Sequence, residues 1–283
     1  MIQIRCFLQF VVVFLLHLPT KSSSFASLLL DAKIPSITNT KSEVTVTQLR
    51  GLEAFEKVER LIVVAAHPDD LETMCGGVIY LLAQRGVKIF SVNCTLGDIG
   101  SADASLLRPS LAATRIAETK EAARILGIEQ IYSLEHHDGE LVADLTLRAE
   151  IARLYRLTGA DTLFTFDPFW TGQIHPDHRA AGLVALDAYM PSKMPLYHPE
   201  QLVEPGMEVG CLERIYLFST DRDPDIYIDI TQVWPRKVAA VLAHKSQFPK
   251  GEENLDWLKE MDAAAGERIG VAAAEVFKSL RVW

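Results

Sequence analysis

Two adjacent carboxylates follow a run of small and β-branched apolar residues in VVAAHPDDLE, residues 63–72. Because His67, Asp69 and Asp70 come directly after this run, a loop at the end of a buried strand would present them to a crevice. Pro68 fixes its own φ and restricts the residue before it, which stiffens that loop. Adjacent like charges repel each other, and a bound cation would offset the repulsion. The stretch therefore predicts that one aspartate binds a metal ion while the other faces a bound water.

A second element of the same kind lies further along the chain, in QIHPDHR, residues 173–179. It also follows a predicted strand. Pro176 suits the first position of a helix, and His175 and His178 are three residues apart, so they can lie on the same side of a helical turn. The N-terminus of a helix disfavours protonated imidazole, which keeps a ligand histidine neutral and available to a metal.

Together these side chains resemble the donor set of catalytic zinc, in which one carboxylate and two imidazoles leave a fourth position open. Such an ion polarises a carbonyl and lowers the pKa of bound water to about 7, and a neighbouring carboxylate can take the proton from that water. One His-Pro-Asp element alone could be a turn, because proline and aspartate are turn residues. Two such elements, each after a predicted buried strand, favour a metal site.

The elements that must position these residues alternate between strands and helices. Short apolar runs predict strands at 60–66, 87–95, 130–134, 161–166, 214–219 and 225–230. Longer periodic segments predict helices at 74–84, 111–126, 145–157, 176–189, 235–247 and 257–280. This alternation is typical of an α/β protein, a three-layer α/β/α Rossmann-like fold with a mostly parallel sheet. The sequence lacks GxGxxG, which disfavours a dehydrogenase.

The composition limits the class of protein. The chain has 283 residues, of which 49% are hydrophobic and 23% charged, enough for a large α/β core and unlike a disordered protein. Its formal net charge is −9 and it has no Lys/Arg-rich block, so nucleic acid is a poor candidate for a partner. The four cysteines are scattered without a CxxC, so neither a zinc knuckle nor a dense disulfide framework is predicted.

The N-terminus differs from the rest of the chain. Residues 1–26 contain one early arginine, an apolar run from Cys6 to Leu18 and a serine cluster. The run is short for a membrane span and suits the core of a signal peptide, which predicts an exported protein, secreted or periplasmic. A membrane anchor formed by the same segment is the alternative. Residues 27–57 predict a linker, and residues 58–283 a single domain.

The pair AHPDDLE and HPDH resembles the motifs of the LmbE-like, or PIG-L-like, family of zinc-dependent N-acetylglucosaminyl deacetylases. The resemblance extends from about Leu61 to at least Gln247 and is supported by four shorter stretches, TLGD at 95–98, RIAE at 115–118, DGEL at 138–141 and HKSQ at 244–247. Asp98 stands where glutamate is common in the family. The resemblance implies the LmbE-like fold and a hydrolase that removes the N-acetyl group of an N-acetylglucosamine-type sugar or glycoconjugate and releases acetate.

The same resemblance implies roles for single residues. His67, Asp70 and His178 match the ligands of Zn²⁺, and Asp69 matches the general base. His175 matches the residue that stabilises the transition state and acts as acid, with Asp177 as its orienting partner. Two further residues match positions that contact substrate, Arg115 and Asp138. For both of these the alternative is a structural ion pair, for Arg115 with Glu118, three residues along the same helix.

The sequence leaves the substrate open. An amidase or deacylase that acts on an amide other than N-acetylglucosamine fits the same residues, as does a non-catalytic metal- or carbohydrate-binding protein, although pure binding needs no base at Asp69. Specificity is predicted to come from the loops at 98–110, 136–144 and 191–211. His136 and His137 predict a solvated loop, and the alternative is that they line the crevice and add a metal contact. For His244, closure of the pocket and helix packing both stay open.

Overall fold

The computed structural model of the protein describes residues 51–282. The signal peptide or anchor predicted at 1–26 and most of the linker predicted at 27–57 lie outside these residues, and export stays a prediction. Among the described residues, none of the helices has the length and apolar character needed to cross a membrane. The described part begins with a 3-10 turn, Leu52–Phe55, whose Phe55 packs into the main core. The folded domain therefore begins before residue 58, where the sequence placed its start.

One sheet of seven strands forms the centre of the described part, in the order β3-β2-β1-β4-β5-β7-β6. The strands are β1 (Arg60–Ala65), β2 (Lys88–Thr95), β3 (Gln130–His136), β4 (Thr162–Phe166), β5 (Arg214–Phe218), β6 (Ile226–Asp229) and β7 (Ala274–Leu280). The first five are parallel, and β7 is antiparallel to both β5 and β6. The predicted α/β class with a mostly parallel sheet is confirmed.

Helices cover the sheet as two groups. The helices are α1 (Asp70–Gln84), α2 (Arg108–Leu126), α3 (Leu145–Thr158), α4 (Pro176–Asp187), α5 (Tyr189–Lys193), α6 (Trp234–Val241) and α7 (Asp256–Glu267). One group is formed by α1, α2 and α6, which pack on one another, and α3, α4 and α5 form the other, while α7 packs against β6 and β7. Together with the sheet, the two groups give the three layers.

The central position of β1 follows from its sequence. Residues 61–65 are fully buried, because both faces of a central parallel strand are covered. From β1 the chain continues through β2 to β3 on one side of the sheet, whereas β4 lies on the other side of β1. Such a reversal of strand order opens a crevice beyond the carboxyl ends of the two strands. The two His-Pro-Asp elements follow β1 and β4, and both therefore reach this crevice.

The helix α1 begins at Asp70, four residues before the predicted start, and is kinked at Cys75, where φ is −146°. The kink frees two backbone N–H groups from the helix. Those of Gly77 and Val78 donate instead to the carboxylate of Glu275, with N···O distances of 2.9 and 2.7 Å. The carboxylate of Glu275, at the start of β7, therefore accepts the two N–H groups at the kink and stabilises the helix that begins with Asp70.

The C-terminal region differs most from the prediction. The helix predicted at 257–280 is wrong: α7 ends at Glu267, and residues 274–280 form the strand β7. The chain turns back after α7 and packs closely on its last turn: a Cβ at Gly266 would lie 2.5 Å from the carbonyl oxygen of Val271, and Gly270 in the turn has a φ of +77°. The helix predicted at 235–247 is also too long, since α6 ends at Val241.

The segment after α4, predicted as a long surface loop at 191–211, begins within α5 and contains a 3-10 turn, Pro199–Val203. It is fixed to the domain by Arg156 of α3, which is only 2% exposed. The guanidinium donates to the side-chain oxygen of Gln201 and to backbone carbonyls of this segment, those of Pro191, Ser192, Met194, Tyr197 and His198. The buried guanidinium of Arg156 therefore supplies hydrogen-bond donors to all of these acceptors and fixes the segment to α3.

Candidate metal centre and active site

Three donor side chains converge at the crevice beyond β1 and β4. His67 and Asp70 come from the loop after β1 and the start of α1, and His178 lies in the first turn of α4. The Nδ1 of His67 is 3.4 Å from the nearer oxygen of Asp70 and 3.2 Å from the Nε2 of His178. The Nε2 of His178 is 3.2 Å from the other oxygen of Asp70. The structure thus brings together the three residues that the sequence predicted as metal ligands.

These separations suit one ion. Zinc bonds to nitrogen and oxygen of about 2.0–2.1 Å in a tetrahedral arrangement place neighbouring ligand atoms about 3.3–3.4 Å apart. At 3.2 Å from each other, the two imidazole nitrogens cannot both carry a proton, so at least one of them offers a lone pair to a cation shared with Asp70. The donor set and its spacing therefore fit a metal.

The charges agree with a cation at this position. Burial alone would lower the pKa of His67, but the carboxylates of Asp70 and Asp138 outweigh it and raise that pKa to about 11. Burial alone would raise the pKa of Asp70, but His178 and His67 outweigh it and hold that pKa well below its usual value. The carboxylates around His67 therefore favour positive charge at this position, which a bound metal ion would supply with both imidazoles neutral.

The opposite edge of the His67 ring faces two more carboxylates. Its Nε2 lies 3.1 Å from Asp138 and 3.3 Å from Asp177. Asp177 is fully buried and accepts from the backbone N–H groups of Gly139 and Leu141, at 2.7 and 3.2 Å. A carboxylate that accepts the second ring N–H of a ligand histidine fixes its tautomer and orientation. This edge is closed to solvent, so the Nδ1 edge is the one suited to a metal that must meet a substrate.

For Asp177 and Asp138, the contacts in the structure differ from those that the resemblance implies. Asp177 was expected to orient His175, but its carboxylate contacts His67, and only its backbone N–H reaches the Nδ1 of His175, at 3.2 Å. Asp138 was expected to contact substrate, but it is 5% exposed and lies between His67 and the backbone N–H of Ile99. Both carboxylates are placed to orient His67.

Asp69 occupies an unusual backbone conformation next to the metal donors. Its φ is 103°, in the left-handed region that favours glycine, asparagine and aspartate, and it precedes the first turn of α1. Its carboxylate is partly buried and lies 3.0 Å from the guanidinium of Arg115. Burial raises the pKa of Asp69 to about 6, against the opposing effect of Arg115. The carboxylate is thus held beside the metal donors and does not join them.

Arg115 supports this loop from behind. It is 3% exposed, and besides Asp69 it donates to the backbone carbonyls of Pro68 and, at 2.9 Å, Gly97. Gly97 must be glycine, because its φ is +65° and a Cβ would lie 2.2 Å from the guanidinium. The predicted alternative, an ion pair of Arg115 with Glu118, is wrong. Glu118 accepts instead from the backbone N–H and hydroxyl of Ser246, at 2.7 and 2.6 Å.

His175 lies beside both ligand imidazoles and is more open to solvent than His67. Its ring stacks on that of His178, with centroids 4.4 Å apart. Burial and the neighbouring imidazoles lower the pKa of His175. Because its Nδ1 accepts the N–H of Asp177, the proton of the neutral ring is on Nε2, the atom free to face a substrate.

Gln173 is a site residue to which the sequence gave no role. It is 7% exposed, and its side-chain oxygen accepts from the Nδ1 of His178 at 3.2 Å. This contact leaves the Nε2 of His178 free for a metal. Its position just before the second His-Pro-Asp element was the available signal, but the spacing alone does not show which way an amide points.

Three further histidines, His136, His137 and His244, lie outside the metal centre. His244 is fully buried with its Nε2 3.5 Å from Glu72 of α1, so it packs against that helix and is not exposed at the crevice. His136 pairs with Glu150 at 2.7 Å, and His137 is exposed. The next residues after His244 join distant loops, because Gln247 donates to the carbonyl of Gly100 at 3.0 Å.

Comparisons with known proteins agree with this geometry. Residues 62–189 match the GlcNAc-PI de-N-acetylase family, PIG-L. Diacetylchitobiose deacetylase of Thermococcus kodakarensis is 30% identical over 198 residues, which cover 70% of this chain and 73% of that protein. A probable N-acetyl-α-D-glucosaminyl L-malate deacetylase 2 of Bacillus cereus is 30% identical over 210 residues, which cover 72% of this chain and 91% of that protein.

Structural comparison gives the same family. One relative found by sequence has a different named activity. N,N′-diacetylchitobiose deacetylase from Pyrococcus horikoshii has a TM-score of 0.77 and 31% identity, covering 83% of this chain and 89% of that one. The sequence is also 27% identical to 4-oxalmesaconate hydratase of Pseudomonas putida, over 69% of this chain and 74% of that protein. The PIG-L match, the deacetylase relatives and the paired His-Pro-Asp elements agree: the chain belongs to the PIG-L, or LmbE-like, family of N-deacetylases.

Proposed function

We propose that the protein is a zinc-dependent hydrolase that removes the N-acetyl group from an N-acetylglucosamine-type sugar or glycoconjugate and releases acetate. The observation that carries the proposal is the convergence of His67, Asp70 and His178, at separations of 3.2–3.4 Å, beside the separately held carboxylate of Asp69. A binding protein needs the three donors but has no use for a base. The deacetylase relatives support the sugar amide as substrate.

The three donors would hold Zn²⁺ with one position open, since two imidazoles and one carboxylate are a common catalytic zinc set. A metal there supplies polarisation of the amide carbonyl and a lower pKa for the attacking water. Orientation of the donors comes from the chain itself. Asp138 and Asp177 fix His67, and Gln173 fixes His178.

The reaction assigns separate tasks to Asp69 and His175. The carboxylate of Asp69 takes a proton from the water that attacks the acetyl carbonyl carbon, a role that its pKa of about 6 permits at neutral pH. Arg115 holds that carboxylate through its 3.0 Å contact. The Nε2–H of His175 donates to the negative charge that develops on the carbonyl oxygen. Delivery of a proton to the departing nitrogen, from His175 or returned by Asp69, gives acetate and a free amine.

Removal of metal is expected to abolish turnover. A chelator should stop amine release from N-acetylated sugars, and Zn²⁺ added in excess of the chelator should restore it, because the metal activates the water. The measurement is amine and acetate release across a panel of N-acetylated sugars and glycoconjugates, with metal content determined on the same preparation. Zinc-independent release, or hydration of an unsaturated carboxylic acid without amine release from any amide, would contradict the proposal.

Loss of the Gln173 carbonyl is expected to weaken metal binding. Gln173→Leu removes the acceptor of the His178 Nδ1–H, and the loss of such an outer contact lowers metal affinity about 10–100-fold. Gln173→Glu keeps an acceptor at the same position and is the matched control, expected to retain affinity. Zinc affinity is measured by competition with a chromogenic chelator. Equal affinity in the leucine variant and the wild type would show that Gln173 does not position His178.

A further inference from the structure

The first turn of α1 holds, besides Asp70, the buried carboxylate of Glu72. Glu72 comes three residues after Asp69 and is 3% exposed. A buried carboxylate is costly unless a cation or a hydrogen-bond donor accompanies it. Among the described residues, its one ion pair is with His244, whose Nε2 lies 3.5 Å away and which is itself fully buried. His244 is therefore the partner of a carboxylate that neither binds the metal nor reaches solvent.

The segment after α6 that carries His244, residues 244–247, lies beside Arg115. Gln247 of this segment donates to the carbonyl of Gly100 at 3.0 Å. A Cβ at Gly100 would lie 2.7 Å from a guanidinium nitrogen of Arg115 and 3.1 Å from the side-chain oxygen of Gln247. The two basic side chains, His244 from the end of α6 and Arg115 from α2, therefore reach the same part of the molecule.

Neither of these basic side chains uses all of its hydrogen-bonding capacity. The Nε of Arg115 and both ring nitrogens of His244 are buried and have no hydrogen-bond partner among the described residues. Buried polar atoms of this kind are rare in folded proteins, and each favours an acceptor that it can reach. The other guanidinium nitrogens of Arg115 donate to Asp69 and to two backbone carbonyls. Its Nε is therefore a donor that a second carboxylate could take.

The charges of the four groups explain why two basic side chains are needed. Asp69 and Glu72 are two carboxylates on one turn, and each has its own partner, Arg115 at 3.0 Å and His244 at 3.5 Å. Burial alone would lower the pKa of His244, but Glu72 outweighs it, with Asp69 acting in the same direction, and that pKa is raised. Without His244, Arg115 would be the one cation of this group left for two carboxylates.

We propose that His244 is a positioning residue for the general base: by pairing with Glu72, it leaves Arg115 to hold Asp69. His244 touches neither substrate nor metal and acts only through these side chains. The inference rests on the proposed function, since Asp69 is the base of that reaction. Without the imidazole, Glu72 would draw the guanidinium of Arg115 toward itself. The carboxylate of Asp69 would then lose the contact that holds it toward the attacking water.

The test removes the imidazole and then the carboxylate that it faces. His244→Phe keeps a ring of similar size. We expect it to lower kcat by about tenfold or more and to leave KM and zinc content unchanged, because a general base contributes about 10²–10⁴-fold and would here be misplaced and not lost. Adding Glu72→Gln removes the charge that competes for Arg115. We expect this double variant to recover kcat to within about threefold of the wild type.

The matched control is a histidine–glutamate pair at the surface. His136 pairs with Glu150 at 2.7 Å, and the two side chains are 30% and 38% exposed, so water can solvate the carboxylate that His136→Phe leaves behind. We expect kcat of this variant to stay within about twofold of the wild type, because an exposed pair contributes little. Amine release as a function of substrate concentration, zinc content and thermal unfolding are measured on each preparation.

Recovery in the double variant distinguishes positioning from packing, because a ring needed only for packing gains nothing when Glu72 is neutralised. Wild-type kcat in His244→Phe, loss of its zinc, or a loss of kcat that Glu72→Gln does not reverse would overturn the inference while the deacetylase function stands. If His244→Phe does not fold, the double variant decides: a folded, active enzyme supports the inference, and any other result overturns it. No amine release from any N-acetylated sugar by the zinc-loaded wild type would overturn the proposed function and the inference with it.

Discussion

The variant Asp69→Asn should bind zinc as the wild type does and lose about 10²–10⁴-fold in kcat/KM, the usual contribution of a general base. Asparagine is the appropriate replacement because Asp69 has a φ of 103°, a conformation that asparagine tolerates better than most residues. The amide keeps the size of the side chain and can still accept from Arg115, but it cannot take a proton from water. The measurements are amine release and zinc stoichiometry on the same sample.

The neighbouring Asp70→Asn is the contrasting variant. Asp70 faces both His67 and His178, so its replacement should lower zinc content together with activity. The variants Asp69→Asn and Asp70→Asn are thus expected to differ in zinc content although both are inactive. Full turnover by Asp69→Asn, or loss of its zinc, would remove Asp69 from the role of base.

Arg156→Met is expected to destabilise the fold by about 3–5 kcal/mol, since it leaves several buried carbonyls of the segment after α4 without a donor. Methionine keeps much of the apolar volume, so the loss comes mainly from hydrogen bonding. In a domain of this size the midpoint of thermal unfolding should fall on the order of 10 °C. Chemical denaturation gives the free energy of unfolding directly.

Arg153→Met is the matched control on the same helix. The guanidinium of Arg153 pairs with Glu204 at the surface, and both side chains are about 40% exposed. An exposed pair of this kind contributes less than about 1 kcal/mol. Similar losses in the free energy of unfolding for Arg156→Met and Arg153→Met would show that the carbonyls around Arg156 do not determine its contribution to stability.

The metal donors could be predicted from the sequence because each follows a strand whose apolar run is unmistakable. Parallel strands end at the same edge of a sheet, so residues after β1 and β4 had to meet once the strand order was as observed. The partners of those donors were harder to predict. Whether Asp138 or Arg115 faces a substrate or a neighbouring side chain depends on loop conformations that no periodicity encodes.

The C-terminal error has a similar cause. The alanine-rich stretch at 263–265 and 272–274 favours a helix by propensity, and the glycines at 266 and 270 were the only signs of a break. Pairing with β5 and β6 determines the strand β7, and such pairing is set by tertiary contacts that a local pattern does not contain.

Insertion of β7 between β5 and β6 has a consequence for biosynthesis. Both neighbours leave the ribosome before residues 274–280 do. The strands β5, β7 and β6 can therefore form their part of the sheet only after β7 has been translated. The same strand delivers Glu275 to the kink of α1, the helix that begins with Asp70. A chain shortened by a nonsense codon ahead of β7 would therefore lose support for the metal donors at the far end of that helix.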